Sequence, residues 1–177
     1  MASINGVAIK NLKMFRGHEG EALAQGSIYL NGKRLGTWSQ DSWGGPDQFD
    51  FDESILKEAC INFKAGFPED YRYREVCDEP DVFLGDLLKL VNLEKAFKGY
   101  FKRGYKTAIA VSDGFNMAFM ATAFEHDDPV VLAKYSKEVE KMKSDMRRDA
   151  RVDVIRPGDF DIKVDTDHTV PTLLMSI

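Results

Sequence analysis

The sequence predicts an α+β fold. Three observations lead there. Asn31-Gly32 and Ser112-Asp113-Gly114 each sit between apolar, β-rich runs, the signal of a tight hairpin. Apolar residues recur at helical spacing in the stretch between those hairpins. Strands, then helices, then a hairpin, then a helix is not the βαβ alternation of a parallel sheet.

The elements follow in order. Val7 to Phe15 alternates roughly, with Val7, Ile9, Leu12 and Met14 apolar. Ala22 to Leu30 places Ile28 and Leu30 on one face and Tyr29 on the other. Asn31-Gly32 turns the chain, because a type I′ turn needs positive φ at both central residues. Lys33 to Ser39 returns with Leu35 and Trp38, and Gly44-Gly45-Pro46 interrupts it. Gln48 to Asp52 reads as a short fourth strand, with Phe49 and Phe51 on one face and Asp50 and Asp52 on the other.

Helices come next. Ile55, Leu56, Ala59, Cys60 and Phe63 form one stripe over Glu53 to Lys64, with Asp52 placed to cap it and Gly66 to end it. Phe67 to Glu79 is charged and aromatic and reads as a loop. Pro80 opens a second helical region, where proline suits the first turn. Val82, Phe83, Leu87, Leu90, Val91 and Leu93 are its apolar positions, and Ala96, Phe97, Tyr100 and Phe101 carry the stripe on to Gly104.

Tyr105 to Val111 and Phe115 to Phe124 form the second hairpin. Pro129 then opens one long helix to about Arg148, striped by Val131, Leu132, Tyr135, Val139 and Met142. Val152 to Val164 reads as a hairpin around Pro157-Gly158. The tail from Asp165 has no clear period, the pattern of a mobile terminus. No internal repeat or low-complexity segment is present.

The chain has 177 residues and a near-average composition, 44% hydrophobic and 30% charged, so it buries a core without staples. The expectation is one domain over residues 1–177. Its parts are a β-meander (1–52), a helical part (53–104), a hairpin–helix–hairpin part (105–164) and the tail (165–177). The N-terminal residues lack a basic segment followed by an apolar one, and no apolar run reaches the roughly 20 residues of a membrane span. A cytoplasmic location in whatever cell makes the protein is expected, with no membrane partner.

The chemistry is defined mostly by what is missing. Gly17, Gly20 and Gly26 fit neither the Walker nor the Rossmann spacing. His18, His126 and His168 form no pair on one helix, and Cys60 and Cys77 cannot complete a zinc site, so no cofactor and no metal are expected. His126-Asp127-Asp128 precedes Pro129, where acidic residues favour a helix N-terminus. Cys60 falls on an apolar face and reads as buried, while Cys77 lies in a charged loop, where a thiol can react but most do not. No Gly-x-Ser-x-Gly elbow appears. With no complete catalytic motif, the chain is not expected to be an enzyme.

Two segments suggest binding. Trp43 and the loop Tyr71-Arg72-Tyr73-Arg74 present the residue types that anchor protein interfaces. Lys95, Lys98, Lys102, Arg103 and Lys106, in a basic run that begins at Lys89, are interleaved with Phe97, Tyr100, Phe101 and Tyr105. Basic residues and stacking rings are what single-strand binders use. The net charge of −5 does not favour nucleic acid as the default partner.

Five words in the first part of the chain carry a resemblance. They are Ile9-Lys10-Asn11-Leu12-Lys13, Gly17-His18-Glu19-Gly20, the hairpin Ile28 to Gly36, Trp43-Gly44-Gly45 and Leu84-Gly85-Asp86-Leu87-Leu88. Together with Leu93 to Phe97 they resemble small phage- and prophage-encoded proteins over roughly residues 1–110. Those proteins have no assigned biochemistry, so no site residue is implied. The resemblance implies a mobile-element accessory protein. By analogy with anti-CRISPR proteins it would inhibit bacterial defence by occupying a host protein such as a defence nuclease. Two alternatives stay open: a nucleic-acid-associated factor using the basic segment, and an enzyme of unknown type using Asp50, Asp52 and one histidine.

Overall fold

The computed structural model describes residues 1–67, 69, 74–112, 117–146 and 150–164. Its architecture is α+β, with two antiparallel-dominated sheets. The described residues form two compact units, residues 1–91 with 161–164 and residues 92–160. No helix among the described residues is long and apolar enough to cross a membrane.

The first unit is built on a meander. Strands β1 (Ser3–Ile4), β2 (Val7–Arg16), β3 (Ala22–Leu30), β4 (Lys33–Ser39) and β5 (Gln48–Phe49) pair as antiparallel neighbours. Asn31 and Gly32 have φ of 50° and 82°, the left-handed pair that a type I′ turn requires. Asn5 and Gly6 repeat the device between β1 and β2, with φ of 50° and 79°. The fourth strand is shorter than expected, stopping at Phe49. Asp50 and Asp52 are taken up by hydrogen bonds to Thr37 and Ser54.

The sheet's inner face is apolar. Ile4, Val7, Ile9, Ala24, Ile28 and Trp38 are buried there, in a core shared with Leu56, Cys60, Phe63, Phe83, Leu84 and Leu87. The helical segment after Asp52 begins as a 3-10 turn, Glu53–Leu56, capped by the Asp52 carboxylate, and continues as α1 (Lys57–Ala65). Ile55 lies in the 3-10 turn and is 46% exposed, so it leaves the stripe that uniform α spacing assigns it. Gly66 ends α1 with φ of −77°, so its role there needs no left-handed backbone. Phe63 meets Phe67 and Phe83 edge-on, at 5.0 and 5.4 Å.

Helix α2 (Pro80–Lys102) is one continuous helix of 23 residues. Cys77, expected in a charged loop, is 2% exposed, and Cys60 is fully buried. Burial is the main cause that pushes their thiols up, Cys60 to about 12 and Cys77 to about 11. Neither is a thiolate near neutrality.

The second unit contains strands β6 (Thr107–Ser112) and β7 (Met117–Thr122), helices α3 (Asp128–Lys134) and α4 (Ser136–Ser144), and strand β8 (Arg151–Ile155). Its sheet runs β7-β6-β8, with the central β6 wholly buried. Ile109 and Val111 pack with Val131 and Val139 of the two helices. Phe97 is fully buried and meets Phe119 edge-on at 4.8 Å.

Two expectations are corrected in this part of the chain. The single helix from Pro129 is two helices, broken at Tyr135 (φ −107°, ψ 24°). The Tyr135 hydroxyl lies 2.6 Å from Thr122 Oγ1, so a sheet contact draws this residue out of helical geometry. The segment 152–164 is not a hairpin either. β8 pairs with β6, whereas β9 (Asp161–Ile162) pairs parallel with β1, in a first sheet ordered β5-β4-β3-β2-β1-β9. The tail from residue 165 lies outside the described residues.

Stability should respond at two points of this frame. Asn5 donates from Nδ2 to the Ala59 carbonyl at 3.0 Å and accepts from Val164 N at 2.8 Å. Asn5→Ala loses both bonds and strains the positive φ, so it should cost about 2–4 kcal/mol in a urea titration. Asp86 is 8% exposed, its carboxyl raised by burial despite the Lys89 ammonium at 2.9 Å. A raised native pKa means that folding takes up a proton, so this group gains stability as pH falls through the native value. Asp50, Asp52 and Asp78 are lowered and act in the opposite sense, losing stability on acidification. Asp86→Asn should therefore steepen the acid loss of stability, measured as the urea midpoint between neutral and acid pH.

Candidate interaction site

The site is assembled where two loops of the first unit meet. The β2–β3 loop is closed by Gly17 N donating to the Glu21 carbonyl at 2.9 Å and Gly20 N donating to the Gly17 carbonyl at 3.1 Å. Arg16 Nη1 donates to the Gly20 carbonyl at 2.7 Å. Gly20 has φ of +85°, a backbone that a side chain would strain.

The β4–β5 loop is built around Asp41. Its Oδ2 accepts from Gly45 N at 2.7 Å and from Trp43 N at 3.3 Å, an Asx turn. Gln48 Nε2 donates to Asp41 Oδ1 at 3.4 Å. At the root of the loop, Gln40 N donates to the Ala24 carbonyl and Ala24 N donates back to Gln40 Oε1, at 3.0 and 2.9 Å.

One backbone bond joins the loops: His18 N donates to the Ser42 carbonyl at 2.9 Å. The His18 and Trp43 rings stack above it, centroids 3.9 Å apart and 25° between planes. Trp43 is 74% exposed. The chain's other tryptophan, Trp38, is buried on the inner face and donates Nε1–H to Asp47 Oδ2 at 2.6 Å. Burial is the main cause that raises the Asp47 carboxyl, and this hydrogen bond opposes it. The result is a fixed aromatic platform of two rings, one face of it open to solvent.

Trp43 is thus the predicted contact residue that stands exposed. Tyr71, Arg72 and Tyr73 lie outside the described residues. Arg74 lies in a 3-10 turn, Arg74–Val76, and is half-buried. His18, which stacks on Trp43, is a residue of this surface that sequence reasoning misses. Its signal is present in the word Gly17-His18-Glu19-Gly20, but only the fold brings that word to Trp43.

The basic residues are also placed. Lys95, Lys98, Lys102, Arg103 and Lys106 are all exposed. The rings between them are committed elsewhere. Phe97 is core, and Tyr100 and Tyr105 meet edge-on at 6.1 Å, with the Arg103 guanidinium 4.5 Å from the Tyr100 centroid. Lys89, which begins the run in sequence, is paired with Asp86.

Asp50 and Asp52 are each engaged by a neighbouring side chain or backbone amide. Asp50 is lowered chiefly by the Thr37 hydroxyl, which donates to it at 2.7 Å, and Asp52 by Ser54, whose N donates to it at 3.0 Å. Asp127 occupies the N-cap position of α3 without a side-chain cap bond, and Asp128 pairs with Arg156 at 2.6 Å. Among the described residues, no group of three or more histidine, cysteine or acidic side chains is placed to hold a metal ion.

The thiols offer a direct check on this placement. Both cysteines should react with an aromatic disulfide reagent at pH 8 only as fast as the protein opens, and at once in denaturant. Rapid labelling of Cys77 in the native protein would contradict its burial.

Comparisons with protein-family models, with curated proteins and with solved structures gave no match to this chain.

Proposed function

We propose that this chain is a binding protein, a phage or mobile-element accessory factor that blocks a host protein by occupying it. The observation that carries the reading is Trp43, 74% exposed yet held by a backbone-capped turn and a histidine stack. Leaving a tryptophan in water forfeits burial that a core position would gain. Fixing it there lowers the ordering cost of binding, and tryptophan is among the residues that dominate protein interfaces. A host defence nuclease is the partner this reading places first, by the resemblance to phage proteins. The reading assigns no turnover to the chain.

The test is to express the tagged protein in a bacterial host and identify what co-purifies after nuclease treatment. A stoichiometric host protein is expected. Trp43→Ala should weaken that complex by at least about thirtyfold, the size of an interface hot spot, while leaving the melting temperature nearly unchanged. Recovery of no host protein, or full retention of the partner by Trp43→Ala, would overturn the reading.

A further inference from the structure

The second unit presents a charged surface that the Trp43 platform does not use. Lys95, Lys98 and Lys102 follow the i, i+3, i+7 spacing of one α2 face, and all three are exposed. The burial of Phe97 fixes which way that face points. At 1.5 Å per residue the row is about 10 Å long, close to the rise of three nucleotides along one duplex strand. Arg103 and Lys106 continue it past the helix end. Arg103 is held in place, its Nε donating to the Gly99 carbonyl at 3.1 Å while its guanidinium lies over Tyr100.

The charge of this segment is lopsided. Residues 92–106 contain five cations and one carboxylate, Glu94, in a chain whose net charge is −5. None of the four ion pairs between described residues involves any of the five cations. Three lysines outside the row, Lys64, Lys89 and Lys143, are paired with carboxylates.

We propose that this row is a docking surface for the phosphate backbone of duplex nucleic acid, read without sequence preference. Charge complementarity selects a polyanion. The aromatic side chains select a duplex over a single strand. Base stacking needs rings that are free, and here Phe97 is core, Phe101 is half-buried with its ring 6.3 Å from that of Phe97, and Tyr100 and Tyr105 are engaged with each other and with Arg103. An anionic membrane is disfavoured because the side of α2 opposite the lysines is committed to the core at Phe97, which leaves little apolar surface for lipid: among the described residues beside the row, Tyr105 and Phe119 are each 37% exposed, and Phe119 meets the Tyr100 ring at 5.4 Å. The surface is independent of the host-protein reading and of Trp43. It would hold the protein on the nucleic acid near which a defence nuclease works.

The experiment is fluorescence anisotropy with the full chain and a labelled duplex of about 20 base pairs, titrated from about 50 to 200 mM salt. Binding is expected with log K falling against log salt at a slope between about −2.7, if the three lysines alone engage, and about −4.5, if all five cations do. Lys95→Gln/Lys98→Gln/Lys102→Gln should weaken binding more than tenfold at low salt and flatten the slope by about 2.7. Trp43→Ala should change it less than twofold. All these side chains are exposed, and circular dichroism melts check that each variant folds.

No duplex binding by about 0.1 mM protein at low salt would overturn the proposal. So would binding that survives the triple lysine variant, tighter binding of the single strand, or capture by phosphatidylserine vesicles without duplex binding. If the duplex binds but no host protein co-purifies, the Trp43 reading falls and the docking surface stands. If a host partner is retained by the triple lysine variant and no duplex binds, the docking surface falls and the Trp43 reading stands.

Discussion

Asn5 is the residue on which the closing of the first sheet depends. Its backbone sits at positive φ to turn β1 into β2, and its N–H donates to the Ile162 carbonyl at 2.9 Å. Its side-chain amide spans two further segments, donating to α1 at Ala59 and accepting from Val164. One residue therefore joins the first turn, the first helix and the returning strand β9. The strands it joins are only two residues long and offer little ladder of their own. An asparagine suits the position twice over. It tolerates the left-handed backbone, and it carries a donor and an acceptor on one planar group.

From that anchored end, β2 runs ten residues to the loop that carries His18. The strand does not run straight. Between Lys10 and Lys13 the register shifts, and Asn11 adopts φ of 54°. Gly26 lies across from this bulge, and a Cβ there would come within 2.6 Å of Ile9 Cγ2. A bulge bends a strand and increases its twist. Before it, β2 is buried; beyond it, the residues are mostly half-buried or exposed. The outer half of β2 is therefore released from the core, although Ala24 opposite Met14 stays buried, and the loop at its end meets the β4–β5 loop.

Much of this is legible in sequence because it is local. Asn31-Gly32 fixes a hairpin by its own dihedral preferences, and Asp52 caps the segment after it through a bond two residues away. What is not legible depends on distant partners. β1 and β9 are too short to show a period and are separated by most of the chain. Helical spacing continues through Tyr135, and nothing nearby announces that Thr122 will draw it aside. Cys77 reads as a loop thiol from its charged neighbours, yet the fold buries it. The candidate site divides in the same way. Trp43 stands out by residue type, whereas its partner His18 lies 25 residues away and is recognised only once the loops meet.

The acidic stretch between Trp38 and Ser54 joins the fold to the site. Its four aspartates invite reading as a catalytic cluster, but each is committed locally. Asp41 caps the turn under Trp43, Asp47 takes the indole N–H of Trp38, Asp50 clamps Thr37, and Asp52 starts the next helical turn. A carboxylate accepting a backbone or indole N–H is a stronger tether than a neutral acceptor. Four such tethers within twelve residues make a loop that would otherwise be costly to order into a defined surface. Rigidity of this kind does not add to the stability of a core. Under the proposed binding reading its effect falls on the complex, because a partner docking on Trp43 would not have to supply the entropy of fixing it. The aspartates and the exposed tryptophan are therefore parts of one local structure, in which hydrogen-bonded carboxylates order the loop that holds an apolar ring in solvent.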